Sequence, residues 1–462
     1  MRRAGWLQLL KQTIAVLESW EGRWPPAEAD EPDTRAEDAL RALMARLTDN
    51  FPFGHPSYAG QMLKPPHPVA WVAYAATMLI NPNNHALDGG PATARMELEV
   101  IRGLGTALGF WETAGLGHLT SSGTMANLEA LWVARQIHPG RKIAFGSNAH
   151  YSHGRCCDLL GVQSVEVAAD GFGRMDLLRL QEALDQHDVG TLVVTLGTTS
   201  LGALDPLSDI IAMTQRRGVR VHVDAAYGGF FALLAGLKPP LVASEPFEAL
   251  LRADSMVVDP HKHGLQPYGC GAVLFRDASV GRLYGHESPY TYFTSDDLHL
   301  GQISLECSRA GAAAAALWAT MRAIPFEPDR GLGPMLAAGR QAALEWHAAM
   351  AQSEVLKPLL RPETDILCFA PLPGVQTTSE LSARSEALFE AAMRNPKKAV
   401  YLAKLRLRRS QAESHWPGLK WDTDDLVVLR SVLMKPEHHA WWPRFMNLLE
   451  VLAKDLWGAT PQ

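Results

Sequence analysis

The sequence is poor in cysteine and has no long apolar segment. Its 462 residues include five cysteines, an odd number with no CxxC pair and no Cys/His spacing of a metal site. The sequence therefore predicts neither a disulfide framework nor a zinc site, and scattered reduced thiols are typical of a cytoplasmic protein. No run approaches the roughly 18 consecutive apolar residues of a membrane span, so we expect no passage through a bilayer.

The sequence also lacks an excess of positive charge. Lys and Arg total 43 against 49 Asp and Glu, a formal net charge of −6. Because contacts to nucleic-acid phosphates need a basic surface, we expect no nucleic-acid partner. No GxGxxG follows an early strand with an acidic residue about 20 positions later, which disfavours a nicotinamide-dependent oxidoreductase. The hydrophobic content of 47% is typical of a soluble enzyme with a large core.

The N-terminus reads as a helical arm. Lys11 and Glu18 interrupt the apolar positions that a signal peptide would keep continuous. Trp6, Leu10 and Ile14 recur at helical spacing, which predicts an amphipathic helix. We expect this arm to occupy residues 1–75 and to pack on the body of the protein or on a second subunit.

The central part of the chain has the pattern of an α/β domain. Short apolar runs alternate with helical stretches, namely KIAFG, SVEVAA, TLVVTLG, VRVHVD, DSMVVD and GAVLFR. This predicts a mainly parallel sheet in a large domain over residues 76–325, with ligands bound beside the carboxyl ends of the strands. Residues 326–462, with helices around the runs ILCFAPL and LVVLRSVLM, predict a smaller α+β domain.

Three motifs lie at predicted loops on the functional edge of the sheet and bear side chains suited to chemistry. SSGTMAN at 121–127 precedes a helix, whose N-terminus with its hydroxyls and N–H groups suits a phosphate. HVDAA at 222–226 places a carboxylate at the end of a buried strand, where it needs a cation or an N–H partner. DPHK at 259–262 places a lysine before a Gly-rich turn. Singly each has an ordinary explanation, since such turns are often plain helix caps.

Together the motifs resemble a known family. TSSGTMANLEAL, HVDAAYGG, DPHKHG and GALDP are similar to the pyridoxal 5′-phosphate (PLP) dependent group II amino-acid decarboxylases, over roughly residues 50 to 455. The group includes glutamate, aspartate, aromatic amino-acid and tyrosine decarboxylases. The resemblance implies PLP as cofactor and fold type I, the aspartate aminotransferase-like fold with a large mainly parallel seven-stranded sheet domain and a small C-terminal α+β domain. It also implies a homodimer with active sites at the subunit interface, and conversion of an L-amino acid to its amine and CO2.

The resemblance assigns roles to residues around the PLP ring. Lys262 matches the lysine that binds PLP covalently, and we expect burial to lower its pKa enough to make it nucleophilic. Asp224 matches the carboxylate that keeps the pyridine nitrogen protonated. His150 matches the histidine that stacks on the ring and orients the substrate carboxylate, with His153 as a nearby alternative. Ala226 matches the small residue packed against the ring.

Further roles concern the phosphate and one cofactor face. Gly123 and Thr124 match the phosphate turn, and His261, beside the lysine, matches a further contact on the phosphate side. Thr199 matches a threonine near the cofactor face. Thr198 is its neighbour, and the sequence does not decide between the two.

Three features leave the reaction and its site open. The family carries a mobile loop whose tyrosine reprotonates the substrate carbon, and here Tyr290 and Tyr292 are both candidates. Arg430 matches an arginine that pairs with the substrate carboxylate, and His263 after the lysine adds an ionisable group of unknown role. The alternatives to a decarboxylase are an aldehyde synthase or another fold type I PLP lyase or aminotransferase. A catalytically inactive homologue is opposed by the intact motif residues.

The substrate side chain is undecided between two chemistries. An acidic substrate needs a second cation, and an aromatic one needs an apolar slot. The candidates are Lys64, His85 and Arg95 for the first, and Trp71, Tyr58 and Phe293 for the second.

Overall fold

The computed structural model describes residues 4–25, 33–112, 115–285 and 299–458. The predicted loop tyrosines Tyr290 and Tyr292, and Phe293, lie outside the described residues. In the described part of the chain, none of the helices combines the length and the apolar character that crossing a bilayer requires.

Helices make up the N-terminal part of the chain. They are α1 (Ala4–Glu21), α2 (Thr34–Leu47), α3 (Pro68–Ile80) and α4 (Pro91–Ala107). Asp33 begins α2 because its carboxylate accepts a hydrogen bond from the Ala36 N–H. Proline at the first turn of α3 and of α4 fits there, since those N–H groups have no intrahelical acceptor.

Within the described residues, seven strands form the larger sheet. They are β1 (Leu116–Thr120), β2 (Lys142–Gly146), β3 (Ser164–Val167), β4 (Val189–Thr195), β5 (Arg220–Asp224), β6 (Ser255–Val258) and β7 (Gly271–Phe275), in the order β1-β7-β6-β5-β4-β2-β3. The helices between and after these strands are α5 (Gly123–Ile137), α6 (Ser152–Leu160), α7 (Leu177–Gln186), α8 (Leu207–Gln215), α9 (Ala232–Ala235), α10 (Glu245–Glu248) and α11 (Gly311–Ala323).

The strand directions bring the sequence motifs to one edge. Strands β3, β2, β4, β5 and β6 run parallel to one another, and β7 is antiparallel to both β6 and β1. Because β1 and β6 are each antiparallel to β7, β1 runs in the same direction as β6. The loops that follow β1, β2, β4, β5 and β6 therefore all leave from the same edge of the sheet, where open α/β folds bind ligands.

A second, smaller sheet follows α11. It contains β8 (Lys357–Pro358), β9 (Ile366–Ala370), β10 (Ala403–Arg408) and β11 (Asp425–Val432), all antiparallel, in the order β10-β11-β9-β8. Its helices are α12 (Leu332–Ala351), α13 (Thr378–Met393), α14 (Arg409–Ala412) and α15 (His438–Trp457). The predicted fold, a mainly parallel seven-stranded sheet followed by a small α+β part, is confirmed. The domain boundaries at 75/76 and 325/326 stay predictions.

Candidate active site

A cavity of about 190 Å³ lies at the edge where the strand carboxyl ends meet. Its walls come from the loops after β1, β2, β4, β5 and β6. Eight residues predicted for the cofactor site line it, namely Gly123, Thr124, His150, Thr199, Asp224, Ala226, His261 and Lys262. The structure thus gathers side chains that are up to about 140 positions apart in the chain, as strand topology requires.

The turn after β1 presents free N–H groups to the cavity. Ser122 caps α5, since its hydroxyl accepts a hydrogen bond of 3.2 Å from the Met125 N–H. The next N–H groups, of Gly123 and Thr124, belong to the first turn of α5 and have no acceptor inside the helix. A Cβ on Gly123 would lie 2.6 Å from Asp259 Oδ2, so glycine is needed for the turn to approach the loop after β6.

Lys262 forms an ion pair inside the cavity wall. Its Nζ lies 3.0 Å from Asp259 Oδ2, in a loop where the Lys262 N–H also donates to the Asp259 carbonyl. Burial lowers the pKa of Lys262, but the charges of Asp259 and Asp224 outweigh burial and raise it above its ordinary value. The expectation that burial would lower the pKa of this lysine is therefore wrong for the free amine, the form without bound PLP. The sequence did not show that the Asp259 carboxylate lies 3.0 Å from the amine.

Asp224 is a buried carboxylate with three donors from the chain. Its Oδ2 accepts from His153 Nε2 at 2.8 Å and from Asn127 Nδ2 at 3.2 Å, and its Oδ1 accepts from the Ala226 N–H at 3.1 Å. Burial opposes ionisation, but the hydrogen bond and charge of His153 and the charge of Lys262 prevail and lower the pKa of Asp224. The carboxylate is accordingly ionised at neutral pH.

A chain of hydrogen bonds behind Asp224 has a fixed direction. Asn127 uses its NH2 on Asp224, so its Oδ1 must accept from His222 Nε2, 2.8 Å away. His222 then carries its proton on Nε2, and its Nδ1 accepts from the Ser255 hydroxyl at 2.9 Å. Burial, above all, lowers the pKa of His222 to about 3, which keeps the imidazole neutral as this arrangement requires.

The two histidines after β2 occupy different places. His150 lines the cavity, and its ring packs 4.3 Å from the ring of Tyr151 while its Nδ1 lies 2.8 Å from the Ser152 hydroxyl. Burial is the main cause that lowers the pKa of His150. His153 lies instead on α6, fully buried against Asp224. His150 therefore borders the cavity, whereas His153 lies behind it and holds the carboxylate of Asp224.

The two threonines after β4 also occupy different places. Thr199 lines the cavity. Thr198 is buried, and its hydroxyl accepts a hydrogen bond of 3.0 Å from the Ala203 N–H, which closes the loop. Of the two residues that the sequence left interchangeable, Thr199 is the one that borders the cavity.

Two predicted residues, His263 and Arg430, are not part of the described wall of the cavity. His263 is buried, with its ring 4.7 Å from that of Tyr227 and 5.1 Å from that of Phe231. Burial holds the pKa of His263 well below its ordinary value, so the ring is an uncharged part of the core. Arg430 on β11 is 6% exposed, and its Nε and Nη2 have no hydrogen-bond partner among the described residues.

Of the residues proposed to select the substrate, the five that the structure describes, Lys64, His85, Arg95, Trp71 and Tyr58, do not line the described part of the cavity. Lys64 is buried, with its Nζ 3.5 Å from the His263 carbonyl, and Tyr58 is buried beside Tyr401. Arg95 is exposed on α4. The described geometry therefore favours neither the acidic nor the aromatic substrate.

The residues present fit PLP. A carboxylate has about four acceptor positions, and the chain fills three on Asp224, which leaves one for a ring N–H at the cavity wall. The N–H groups at the start of α5 suit the phosphate. Asp259 Oδ1 and His261 Nδ1 are buried polar atoms without a partner among the described residues, as expected of a site built for a polar ligand.

Sequence reasoning missed four residues of this site: Asn127, His222, Tyr227 and Asp259. Tyr227 lines the cavity and donates a hydrogen bond from its hydroxyl to Asp365, the residue before β9. A signal was present for His222, since it precedes Asp224 by two positions on β5 and so faces the same side of the strand. Asp259 is part of the DPHK motif, but its place in the sequence did not indicate a role for it.

Comparison with known proteins gives a consistent result. Residues 26–328 match the family model described as the pyridoxal-dependent decarboxylase conserved domain. A probable L-tyrosine/L-aspartate decarboxylase of Methanothermobacter thermautotrophicus is 33% identical over 276 residues, covering 59% of this chain and 72% of the relative.

Two solved structures share the fold. Mouse CSAD superposes with a TM-score of 0.77 at 23% identity, covering 97% of this chain and 92% of the other. Oryza sativa TDC with PLP and tryptamine gives a TM-score of 0.78 at 17% identity, covering 97% and 96%.

Proposed function

Because the chain belongs to the pyridoxal-dependent decarboxylase family and is a PLP-dependent carboxy-lyase, we propose that it converts an L-amino acid to the amine and CO2 in the cavity around Lys262. One observation carries this assignment. The Lys262 amine, the Asp224 carboxylate and the free N–H groups at the start of α5 all border the same cavity. These are the partners that the aldehyde, the ring nitrogen and the phosphate of one PLP molecule need.

Bound PLP supplies a conjugated ring that accepts the electron pair left behind when CO2 departs. Asp224 holds a proton at the ring nitrogen, because its lowered pKa keeps the carboxylate ionised at neutral pH. His153 and Asn127 fix the direction of that carboxylate through their hydrogen bonds. A carboxylate held in this way would stabilise a protonated ring nitrogen.

Lys262 must lose a proton before its nitrogen can form a bond. Asp259 Oδ2, at 3.0 Å from Nζ, is placed to accept that proton. Burial of Lys262 favours the neutral amine, so any loss of the carboxylate charges on Asp259 and Asp224 makes the lysine more nucleophilic.

The side chains of Ala226 and His150 define the space for the flat ring. Ala226 contributes a single methyl group to the wall, and a larger side chain would collide with the ring. His150, held by Ser152, remains neutral at pH 7 because burial lowers its pKa, and its ring can stack on the opposite face. We assign it the orientation of the substrate carboxylate across the ring plane, the geometry from which CO2 leaves.

Borohydride reduction tests the covalent role of Lys262. The PLP-loaded protein is reduced, digested and mapped by mass spectrometry, with Lys262→Ala as the matched control. We expect the cofactor mass on the peptide of Lys262 and its loss in the variant. Cofactor attached to a different lysine, or unattached after reduction, would show the assignment to be wrong.

A panel of the twenty amino acids tests the reaction and its substrate. Amine and CO2 are measured together for each, and we expect one acidic or aromatic L-amino acid to dominate, in keeping with the tyrosine/aspartate name of the M. thermautotrophicus relative. Arg430→Gln is included, since we propose that this arginine pairs with the substrate carboxylate, and the expected effect is a raised KM. Release of aldehyde and ammonia in place of amine would instead indicate an aldehyde synthase.

We also propose that the protein is a homodimer. Four large apolar side chains on α2 form one stripe at helical spacing, Leu40, Leu43, Met44 and Leu47, and each is between 47% and 60% exposed. A stripe of this kind normally packs against another surface, and a second copy of the chain is the partner that the family resemblance implies. Light scattering of the wild type, Leu43→Glu and the control Leu159→Glu tests this, with dissociation expected for Leu43→Glu. An unchanged mass for both variants would refute a dimer held through α2.

The cytoplasmic location stays a prediction from the thiol pattern.

A further inference from the structure

A second crevice lies away from the candidate active site, beside α12. It has a volume of about 390 Å³ and lies between the turn after β3, helix α12 and the segment that leads into β9. Its charged lining residues are Arg174, Arg340, Arg361 and Glu363. None of them lines the cavity around Lys262.

Arg340 is a buried cation without an ion pair. The residue is 3% exposed, and its guanidinium donates to three carbonyls, those of Leu241 at 3.0 Å and of Pro362 and Thr364 at 2.8 Å. No carboxylate among the described residues lies within ion-pair distance of it. Burial and then the charge of Arg361 lower the pKa of Arg340 to about 10, although the charge of Asp365 acts in the opposite direction. A buried charge is costly unless an opposite charge compensates it.

The other charges of the crevice leave a positive excess. Glu363 is the carboxylate of the lining, and both of its oxygens are engaged, Oε1 by Arg174 and Oε2 by the Leu204 N–H at 2.8 Å. Arg361 is exposed and has no ion pair among the described residues. Half-buried His347 has a pKa lowered first by burial and then by Arg361 and Arg340, so its ring is neutral at pH 7 and does not change this balance. Among the described residues, neither Arg340 nor Arg361 therefore has a carboxylate within ion-pair distance, and the more distant charge of buried Asp365 offsets that of Arg340 only in part.

We propose that this crevice binds the phosphate group of a small ligand. A guanidinium presents paired donors that match phosphate oxygens, and such charge-assisted bonds are stronger than neutral ones. The volume exceeds what a lone phosphate ion needs and falls in the range of small-molecule sites, which start at roughly 300 Å³. The ligand is either free phosphate or a small phosphate ester, since both offer the same group to Arg340 and Arg361.

Calorimetric titration of the borohydride-reduced holoenzyme tests the proposal. Reduction keeps the phosphate of PLP in the first cavity, so that added phosphate cannot enter there. Inorganic phosphate and glycerol 3-phosphate are titrated separately into the wild type, Arg361→Gln and the control Arg394→Gln. Arg394 is an exposed arginine on the far end of α13, likewise without an ion pair among the described residues.

We expect saturable binding at one site per chain, weakened at least tenfold by Arg361→Gln and unchanged by Arg394→Gln. Arg361→Glu should abolish binding, and because this side chain is exposed, both Arg361 variants should fold. Tighter binding of the ester supports an organic phosphate as ligand, and tighter binding of the ion supports free phosphate. Absence of saturable binding of either probe, or equal binding to the wild type and Arg361→Gln, would overturn the proposal, and neither result depends on the substrate of the first cavity.

Discussion

Replacement of His222 by glutamine tests the hydrogen-bond chain behind Asp224 through the pH dependence of stability. The pKa of His222 is about 3 in the folded protein and 6.5 in an unfolded chain. Between these values the unfolded chain binds a proton that the folded chain does not. The free energy of unfolding therefore falls as the pH falls below 6.5, and the contribution of His222 is complete only above that pH.

The expected size follows from this proton. For one histidine with these two pKa values, the loss between about pH 7.5 and pH 5 is roughly 2 kcal/mol. His222→Gln keeps a donor for Asn127 but cannot titrate, so the variant should lose about 2 kcal/mol less than the wild type over this range. Other buried histidines, such as His438, affect both proteins equally and cancel in the comparison.

Urea unfolding of the apoprotein, followed by tryptophan fluorescence at a series of pH values, measures this difference. His187→Gln is the control, because this histidine lies at the end of α7, partly exposed to solvent and without an ion pair among the described residues. Its pH profile should parallel that of the wild type. If His222→Gln and the wild type lose the same stability over this range, His222 is protonated in the folded state and the inferred direction of the chain from Ser255 to Asp224 is wrong.

Three further predictions concern the proposed chemistry. Asp224→Ala should retain PLP but lose turnover by orders of magnitude, each tenfold being about 1.4 kcal/mol of barrier, and near-normal turnover in the PLP-loaded variant would contradict the electron-sink role. Gly123→Ala should weaken PLP affinity, measured by absorbance titration, because the new methyl group would lie 2.6 Å from Asp259 Oδ2, and an unchanged affinity would mean that the turn does not hold the phosphate. Tyr290→Phe or Tyr292→Phe, whichever removes the proton donor, should replace amine by aldehyde and ammonia with oxygen uptake at an electrode. Amine at the parent rate from both would place the donor elsewhere.

The position of the cavity was predictable from the sequence because it depends on local pattern. Apolar runs ending in His-Val-Asp or Asp-Pro-His-Lys are strands with polar residues at their carboxyl ends, and parallel strands bring such ends together. Strand β1 was not found in this way, since LGHLT contains a glycine and a histidine. That histidine, His118, is tolerated in the core because its Nε2 lies 2.9 Å from the buried Glu129 carboxylate on α5, a contact between residues on different elements.

The electrostatics of the site were not predictable, because they depend on contacts between distant parts of the chain. Asn127 and His222 are 95 positions apart, and the pair decides how Asp224 is held. The raised pKa of Lys262 arises from the 3.0 Å approach of Asp259, which a strand pattern does not specify. Burial of Lys262 could be anticipated from its neighbours, but the balance between burial and charge could not.

Helix α5 connects the residues proposed to contact the two ends of the cofactor. Its first residue, Gly123, belongs to the turn proposed to hold the phosphate, and Asn127, one helical turn later, holds the carboxylate proposed for the ring nitrogen. The helix thus fixes the distance between these two residues at about 6 Å along its axis. One residue inserted between them would rotate Asn127 by about 100° and raise it by about 1.5 Å, so both contacts could not be kept together. Length changes within this first turn of α5 are therefore far less tolerable than substitutions on its outer face.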